Sequence, residues 1–243
     1  MDWTDEAYVL AARAHGESAA IVDLLTETHG RLSTWVAGGA SRRMKPILQP
    51  GTPVQVRWRA RQDQSLGSAT LEPSAPGIAG LLDDPLALAG LNAAASVTSA
   101  VLPEHEAAPG AYAGLATLMA MLGHETLWPY VYIRYELGLL DAIGFGLDLS
   151  RCAATGSFED LAYISPRTGR AVSRAAAAPY VDKLLPLPAF LLASQAGVRD
   201  GDLKDGLALT GFFLEKHVFH ALNRPLPPAR VWMTDLLTSR GYL

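Results

Sequence analysis

Nine residues, Pro53-Val-Gln-Val-Arg-Trp-Arg-Ala-Arg61, restrict the fold more than any other stretch of this chain. Val54, Val56, Trp58 and Ala60 alternate with Gln55, Arg57, Arg59 and Arg61. Successive side chains of a strand point to opposite faces, so this period sends the apolar set inward and three arginines outward. Trp58 is therefore expected in a core, beneath a wet, cationic sheet face.

The residues before and after it supply partners for such a strand. Tyr8–Arg13 and Ala20–Thr26 are short β-leaning runs separated by the turn-like His15-Gly16-Glu17-Ser18. His29-Gly30 turns the chain into Arg31–Val36, where Leu32, Thr34 and Val36 share one face and Arg31, Ser33 and Trp35 the other. A loop comes next, Gly38–Pro46, carrying Arg42, Arg43 and Lys45. Gly67–Glu72 makes a fifth strand. Five short antiparallel strands within about seventy residues, one face basic, predict a small barrel of the oligonucleotide-binding (OB) type.

From Arg31 to Arg61 the chain carries Arg31, Arg42, Arg43, Lys45, Arg57, Arg59 and Arg61 and no Asp or Glu, although the whole protein has a formal net charge of −4. Cations without counter-charges, interleaved with indoles, suit a surface that tracks a phosphate backbone and stacks bases. Trp35, on the basic side of its strand, is the stacking candidate. Trp58 is core.

Pro73-Ser-Ala-Pro-Gly77 reads as a linker, after which β-character stops. Asp83-Asp84-Pro85 opens a helix over about 86–101, acids and proline sitting at its positive end. Further helices are expected over about 111–122, from Pro129 to the Gly144-Phe-Gly146 stop, over about 203–223 and over about 231–237. On the long one, Leu207, Gly211, Leu214, Val218 and Leu222 form a stripe. The fold class is α+β: an OB barrel over residues 1–76, then an all-α domain over 77–243 with an irregular insertion at 147–182.

Catalytic chemistry finds little support. Gly144-Phe-Gly146 lacks the third glycine of a dinucleotide fingerprint, and no phosphate-binding loop is present. His217 and His220, near Glu215, could seat a metal, but no third ligand is evident and packing histidines are commoner on such helices. Cys152, the single cysteine, has no identifiable base and forms no internal disulfide. The uncharged run Leu86–Leu102 is diluted by Asn92, Ser96, Thr98 and Ser99 and reads as a buried helix rather than a membrane span. A non-enzyme without cofactor, located in the cytoplasm, is expected.

Ala19-Ala-Ile-Val-Asp-Leu-Leu-Thr-Glu-Thr-His-Gly-Arg31, Gly38-Gly-Ala-Ser-Arg-Arg-Met-Lys-Pro46 and Leu48-Gln-Pro50 resemble the N-terminal domain of the RecO family of recombination mediators. Ile133–Asp141 with Gly144–Asp148 resembles the family's central helix, and Cys152-Ala-Ala-Thr-Gly156 with Tyr163–Arg170 its zinc-ribbon-like insertion. Many family members carry two Cys-x-x-Cys pairs there. Here Cys152 and Thr155 stand for the first, and Ser173-Arg-Ala-Ala176 holds no cysteine. The insertion is thus expected without zinc, packing around Tyr163 and Tyr180 taking the metal's place.

The resemblance implies a DNA-repair protein that binds single- and double-stranded DNA, anneals complementary strands and, with RecR, helps load RecA onto gaps coated by single-strand-binding protein (SSB). It implies a nucleoid-associated location and a docking site for the acidic, Phe-ended SSB tail on the helical domain. Arg134, flanked by Tyr130 and Leu137, suits that role; its alternative is a surface arginine paired with an acid such as Asp141. Two other readings stay open: a general OB-type nucleic-acid-binding module, and an adaptor whose basic face binds an acidic protein.

Overall fold

A computed structural model describes residues 1–61, 66–124, 126–192 and 197–243. Five strands close into a barrel: β1 (Asp2–His15), β2 (Ala19–Thr26), β3 (Gly30–Val36), β4 (Pro53–Arg59) and β5 (Ser68–Pro73). Their order is β1-β2-β3-β5-β4, with β4 paired back to β1. Four pairings are antiparallel, as expected; the fifth, β3 with β5, is parallel and spans only Trp35↔Ser68 and Val36↔Ala69. A closed ring with an odd number of strands cannot alternate direction throughout, so one parallel seam is unavoidable.

The interior holds the residues that the alternation sends inward. Val54, Val56 and Trp58 are buried, Gln55, Arg57 and Arg59 exposed. They meet Ala7, Val9, Val22, Leu24, Leu32, Val36 and Leu71 in one apolar cluster. Trp58 closes one end, its indole donating to the Leu66 carbonyl at 3.4 Å. Gly67 lies against that ring: with φ +56° and only 2.4 Å from an added Cβ to the indole nitrogen, no other residue fits there.

Residues 38–46, expected as a flexible loop, belong instead to a chain of tight turns over 37–50. Lys45 N–H bonds the Ser41 carbonyl at 3.2 Å and Leu48 N–H the Met44 carbonyl at 2.9 Å. Leu48 is buried in the barrel cluster and Met44 and Ile47 pack against it. The apolar residues of the segment cap the core and leave Arg42, Arg43 and Lys45 exposed.

By packing, the chain divides into a unit of Met1–Trp128 with Pro227–Met233 and a unit of Pro129–Leu226 with Thr234–Leu243. Composition changes at the linker near residue 76, whereas packing keeps two helices with the barrel: α1 (Pro85–Val101) and α2 (Pro109–Met121). Asp84 caps α1 as expected, its carboxylate accepting from Leu86 N–H at 2.9 Å and Ala87 N–H at 3.0 Å. Between the helices, residues 102–106 run along the start of β3, with Glu104 bridged to Arg31 and the His105 N–H bonded to the Arg31 carbonyl at 2.8 Å. This strap lies along the edge of β3 that the short parallel seam leaves without a second strand, the other edge being paired to β2 throughout.

The second unit carries most of α3 (Trp128–Ala142), α4 (Arg174–Ala177) and α5 (Asp202–Leu214); α6 (Pro228–Ser239) ends the helical series. Its insertion is not irregular. Strands β6 (Leu161–Ile164), β7 (Ala171–Ser173) and β8 (Leu185–Pro186) form an antiparallel sheet in the order β7-β6-β8. Cys152, Val172 and Ala177 make its core, with Tyr163 packed on them; Tyr180 is 59% exposed and takes no part, contrary to expectation. The Cys152 sulfur accepts from the Ser173 N–H at 3.3 Å and its hydroxyl at 3.4 Å. The long helix also departs from its expected course. After α5 it widens into a π-helical turn, Glu215–Phe219, with His220 N–H bonded to the Glu215 carbonyl at 2.7 Å. The wider turn shifts the phase of the residues beyond it, so Val218 is buried but Leu222, placed in the stripe by its spacing, is 51% exposed.

Candidate nucleic-acid interface

Register fixes which side chains stand together on the barrel's outer face. Around β1, β4 and β5 three outward rows run side by side: Asp2–Arg59–Ser68, Thr4–Arg57–Thr70 and Glu6–Gln55–Glu72. Ser68 is also the partner of Trp35, and Trp35 of Ile21, which pairs with Arg13. Trp35 thus shares a row with Arg59 on one side and Arg13 on the other, each two strands away and within reach of a long side chain. The sequence does not single out Arg13, because the strand that carries it has no clean alternation at that end.

The cation-only stretch from Arg31 to Arg61 does receive counter-charges, from elsewhere in the chain. Arg59 Nε meets Asp2 at 2.9 Å on the exposed face. Arg31 is more firmly held: its Nε donates to the Leu102 carbonyl at 2.7 Å, its NH1 meets Glu104 at 3.1 Å, and its side chain is only 15% exposed. It lies four residues before Trp35 on β3, about 13 Å away along the strand. Arg31 is therefore occupied in fastening the strap and stands apart from the other cations. Arg42, Arg43, Lys45, Arg57 and Arg61 are exposed and form no ion pair among the described residues.

A shallow, open groove of about 580 Å³ lies where β4 ends and β5 begins, lined by Arg59, Ala60, Arg61, Gly67 and Ser68. Trp35, half-buried, donates its backbone N–H to the Gly67 carbonyl at 3.2 Å, beside that groove. The Ala40 N–H bonds the Ser18 carbonyl at 3.1 Å, which draws the β1–β2 turn and the segment leading to Arg42 together just past Trp35. One end of the barrel gathers an indole, a groove with two arginines and the turn that bears Arg42, Arg43 and Lys45, next to a β1–β2 turn that carries one acid, Glu17. The opposite end of the same sheet face is acidic, through Glu6 and Glu72.

The candidates of the second unit separate. Arg134 is exposed on α3 and donates to the Phe190 carbonyl, with its guanidinium 6.0 Å from that ring's centre. Tyr130 meets the same ring edge-on at 5.2 Å, while Leu137 is half-buried on the next turn. Arg134 has a carbonyl and an aromatic ring as partners, not Asp141. Aspartates nearby join burial in raising the Tyr130 hydroxyl, burial being the larger cause, then Asp202 and Asp200. His217 packs between Phe145 at 4.3 Å and Phe213 at 5.9 Å, both rings nearly parallel to it. Among the described residues no three His, Cys, Asp or Glu side chains gather as a metal would require. No helix among them is long and apolar enough to cross a membrane.

Comparison with known proteins bears on both parts of the chain. The family described as Recombination protein O N terminal matches residues 1–73, and that described as Recombination protein O C terminal matches residues 82–242. A protein of Caulobacter vibrioides (strain NA1000 / CB15N) named DNA repair protein RecO is 63% identical over 243 residues, covering all of both chains. Proteins of the same name from Caulobacter sp. (strain K31) and Rhodospirillum centenum (strain ATCC 51521 / SW) are 60% identical over all of both chains and 48% identical over 97% of this chain and 94% of theirs.

Proposed function

The chain belongs to the recombination protein O family, and on that premise we propose that it is a non-catalytic DNA-binding recombination mediator of DNA repair. The observation that carries the reading is the clustering of Trp35, Arg59, Arg61 and the Arg42–Lys45 turn at one end of the barrel. OB barrels take oligonucleotides on the β2–β3 face between the loops that follow β1 and β4, which is where this cluster lies. Lysines and arginines neutralise successive phosphates and release their counterions, while the indole stacks a base of any identity. Phosphate contacts and stacking carry no sequence information, so binding through them is sequence-tolerant. Strands whose backbones are neutralised and whose bases stay open can pair, which is the basis of annealing. Double-stranded DNA meets the same cations without the stacking step.

The helical part is assigned the protein contacts. Arg134, held over Phe190 with Tyr130 and Leu137 beside it, offers a cation next to apolar surface, which suits the acidic, aromatic-ended SSB tail. Cooperation with RecR, loading of RecA onto SSB-coated gaps and a place at the nucleoid complete the proposal.

Fluorescence anisotropy on an unstructured oligonucleotide, across a salt series, tests the first part. Wild type is compared with the Arg57→Ala/Arg59→Ala/Arg61→Ala variant, all three positions being exposed. Salt-steep binding that the variant loses, followed by annealing of SSB-coated strands, supports the mediator. Binding without such annealing returns the general OB module, and no binding by wild type returns the adaptor. Charge reversal at Arg134 is expected to abolish capture of an SSB-tail peptide; unchanged capture removes that residue from the site.

A further inference from the structure

The stretch without acids is succeeded by its complement. Residues 62–133 contain seven Asp and Glu and no Lys or Arg at all. Within the first unit, part of this stretch walls a cleft of about 430 Å³ in which apolar side chains alternate with exposed backbone. Tyr8 and Pro53 form its floor from the outer faces of β1 and β4, Ile78 and Leu81 one side from the segment after the linker, and Ala116 and Met119 the other from α2. Leu82, next to it in sequence, is 59% exposed. Such a volume holds one or two large apolar side chains.

Acids border the cleft. Tyr8 and Pro53 face each other in register one outward row beyond Glu6–Gln55–Glu72, so Glu6 and Glu72 stand at its edge. Glu27 joins them, its N–H bonded to the Glu6 carbonyl at 2.9 Å. The Tyr112 hydroxyl, whose ring lies 5.4 Å from that of Tyr8, senses this charge: burial first, then Tyr8, Glu27, Glu6 and Asp5, push its pKa up to about 12. Glu6 and Glu72 are separated by β4, about 10 Å between their backbones, too far for one ammonium group to meet both. A chain bearing several cations can meet both while an apolar residue between them enters the cleft. DNA is repelled by the same acids.

We propose that this acid-rimmed cleft is a docking site for a partner protein, which inserts one or two apolar side chains flanked by lysines and arginines. The site is separate from the DNA interface and does not depend on it. Its apolar walls provide the affinity and the acids select the sign and register of the partner segment.

The test uses the full chain labelled with ¹³C at its methionine methyls. Met119 reports the cleft, while Met44, packed on the barrel core, serves as an internal reference. The probe is a short amidated peptide with a central Leu-Leu pair flanked by lysines and arginines. Two control peptides replace the leucines with serines or the cations with glutamates. The expected result is a saturable shift of Met119 alone, with the probe alone, weakened about tenfold by the Glu6→Lys/Glu72→Lys variant, a loss in line with reversing two exposed charge pairs. A silent Met119, or an equal response to either control or to an oligonucleotide, overturns the proposal. A Met119 shift that tracks protein concentration without peptide overturns it too, by seating a second copy of the chain in the cleft.

Discussion

Thr34 carries its hydroxyl into the barrel, fully buried and with no hydrogen-bond partner among the described residues. A buried hydroxyl without a partner is a standing cost, and valine has nearly the same shape. Thr34→Val is expected to stabilise the protein by about 1 kcal/mol in urea denaturation; a loss of stability would mean that the hydroxyl is satisfied. Asp5 is the opposite case. Burial alone raises its carboxyl, but bonds from His29 at 2.8 Å, from the Thr28 hydroxyl at 2.7 Å and from the Thr28 and Glu6 N–H groups outweigh it and hold the pKa below 3.8. A carboxylate whose pKa is lower folded than unfolded stabilises the fold above its unfolded pKa, and that contribution fades as pH falls through the folded value. The stability gap between wild type and Asp5→Asn is expected to narrow as pH drops below about 4. A gap that stays constant to lower pH would show that the carboxylate bonds are not the source of the difference.

Between elements, two residues of one strand divide the labour. Arg31, tied to Leu102 and Glu104, fastens the strap to β3, whereas Trp35 faces outward beside the groove. Arg31→Ala is expected to lower stability by about 1–2 kcal/mol through the lost carbonyl and carboxylate bonds, and to weaken DNA binding less than Arg61→Ala does. Trp35→Ala should weigh mainly on binding, losing about 1–3 kcal/mol of it, with a smaller loss of stability from the half-buried indole. Equal effects of the two substitutions on affinity would erase the division. The strands were legible because period two is written residue by residue, and it placed Arg57, Arg59 and Trp58 on their observed faces. The occupation of Arg31 was not legible, since its partners lie more than seventy residues further on and no local pattern announces them. The turns of residues 37–50 escaped for a different reason: Met44, Ile47 and Leu48 cap a core without any regular period. Leu222 fitted a helical stripe until one widened turn changed its phase.

Across the whole chain, charge is sorted by stretch, with seven cations and no acid from 31 to 61, then seven acids and no Lys or Arg from 62 to 133. Sorted charge steers an approaching polyanion before contact and keeps it off the acidic face. With Arg31 fastened in the strap and Arg59 shared with the exposed Asp2, about five cations' worth of charge in the basic stretch meets phosphates. Their engagement with single-stranded DNA predicts a log–log salt slope of roughly −3 to −4. A slope near zero, read from the same anisotropy series, would remove the electrostatic mechanism. The barrel that carries this charge is closed by a parallel seam of only two residue pairs, one of them involving Trp35. A ring is as tight as its weakest joint, so breathing of the barrel should begin there, with the Trp35 and Ala69 amides exchanging with solvent ahead of those in β1 and β2. A base stacked on Trp35 would rest on that joint, and DNA would then act as a clasp, slowing exchange at the seam more than anywhere else in the barrel.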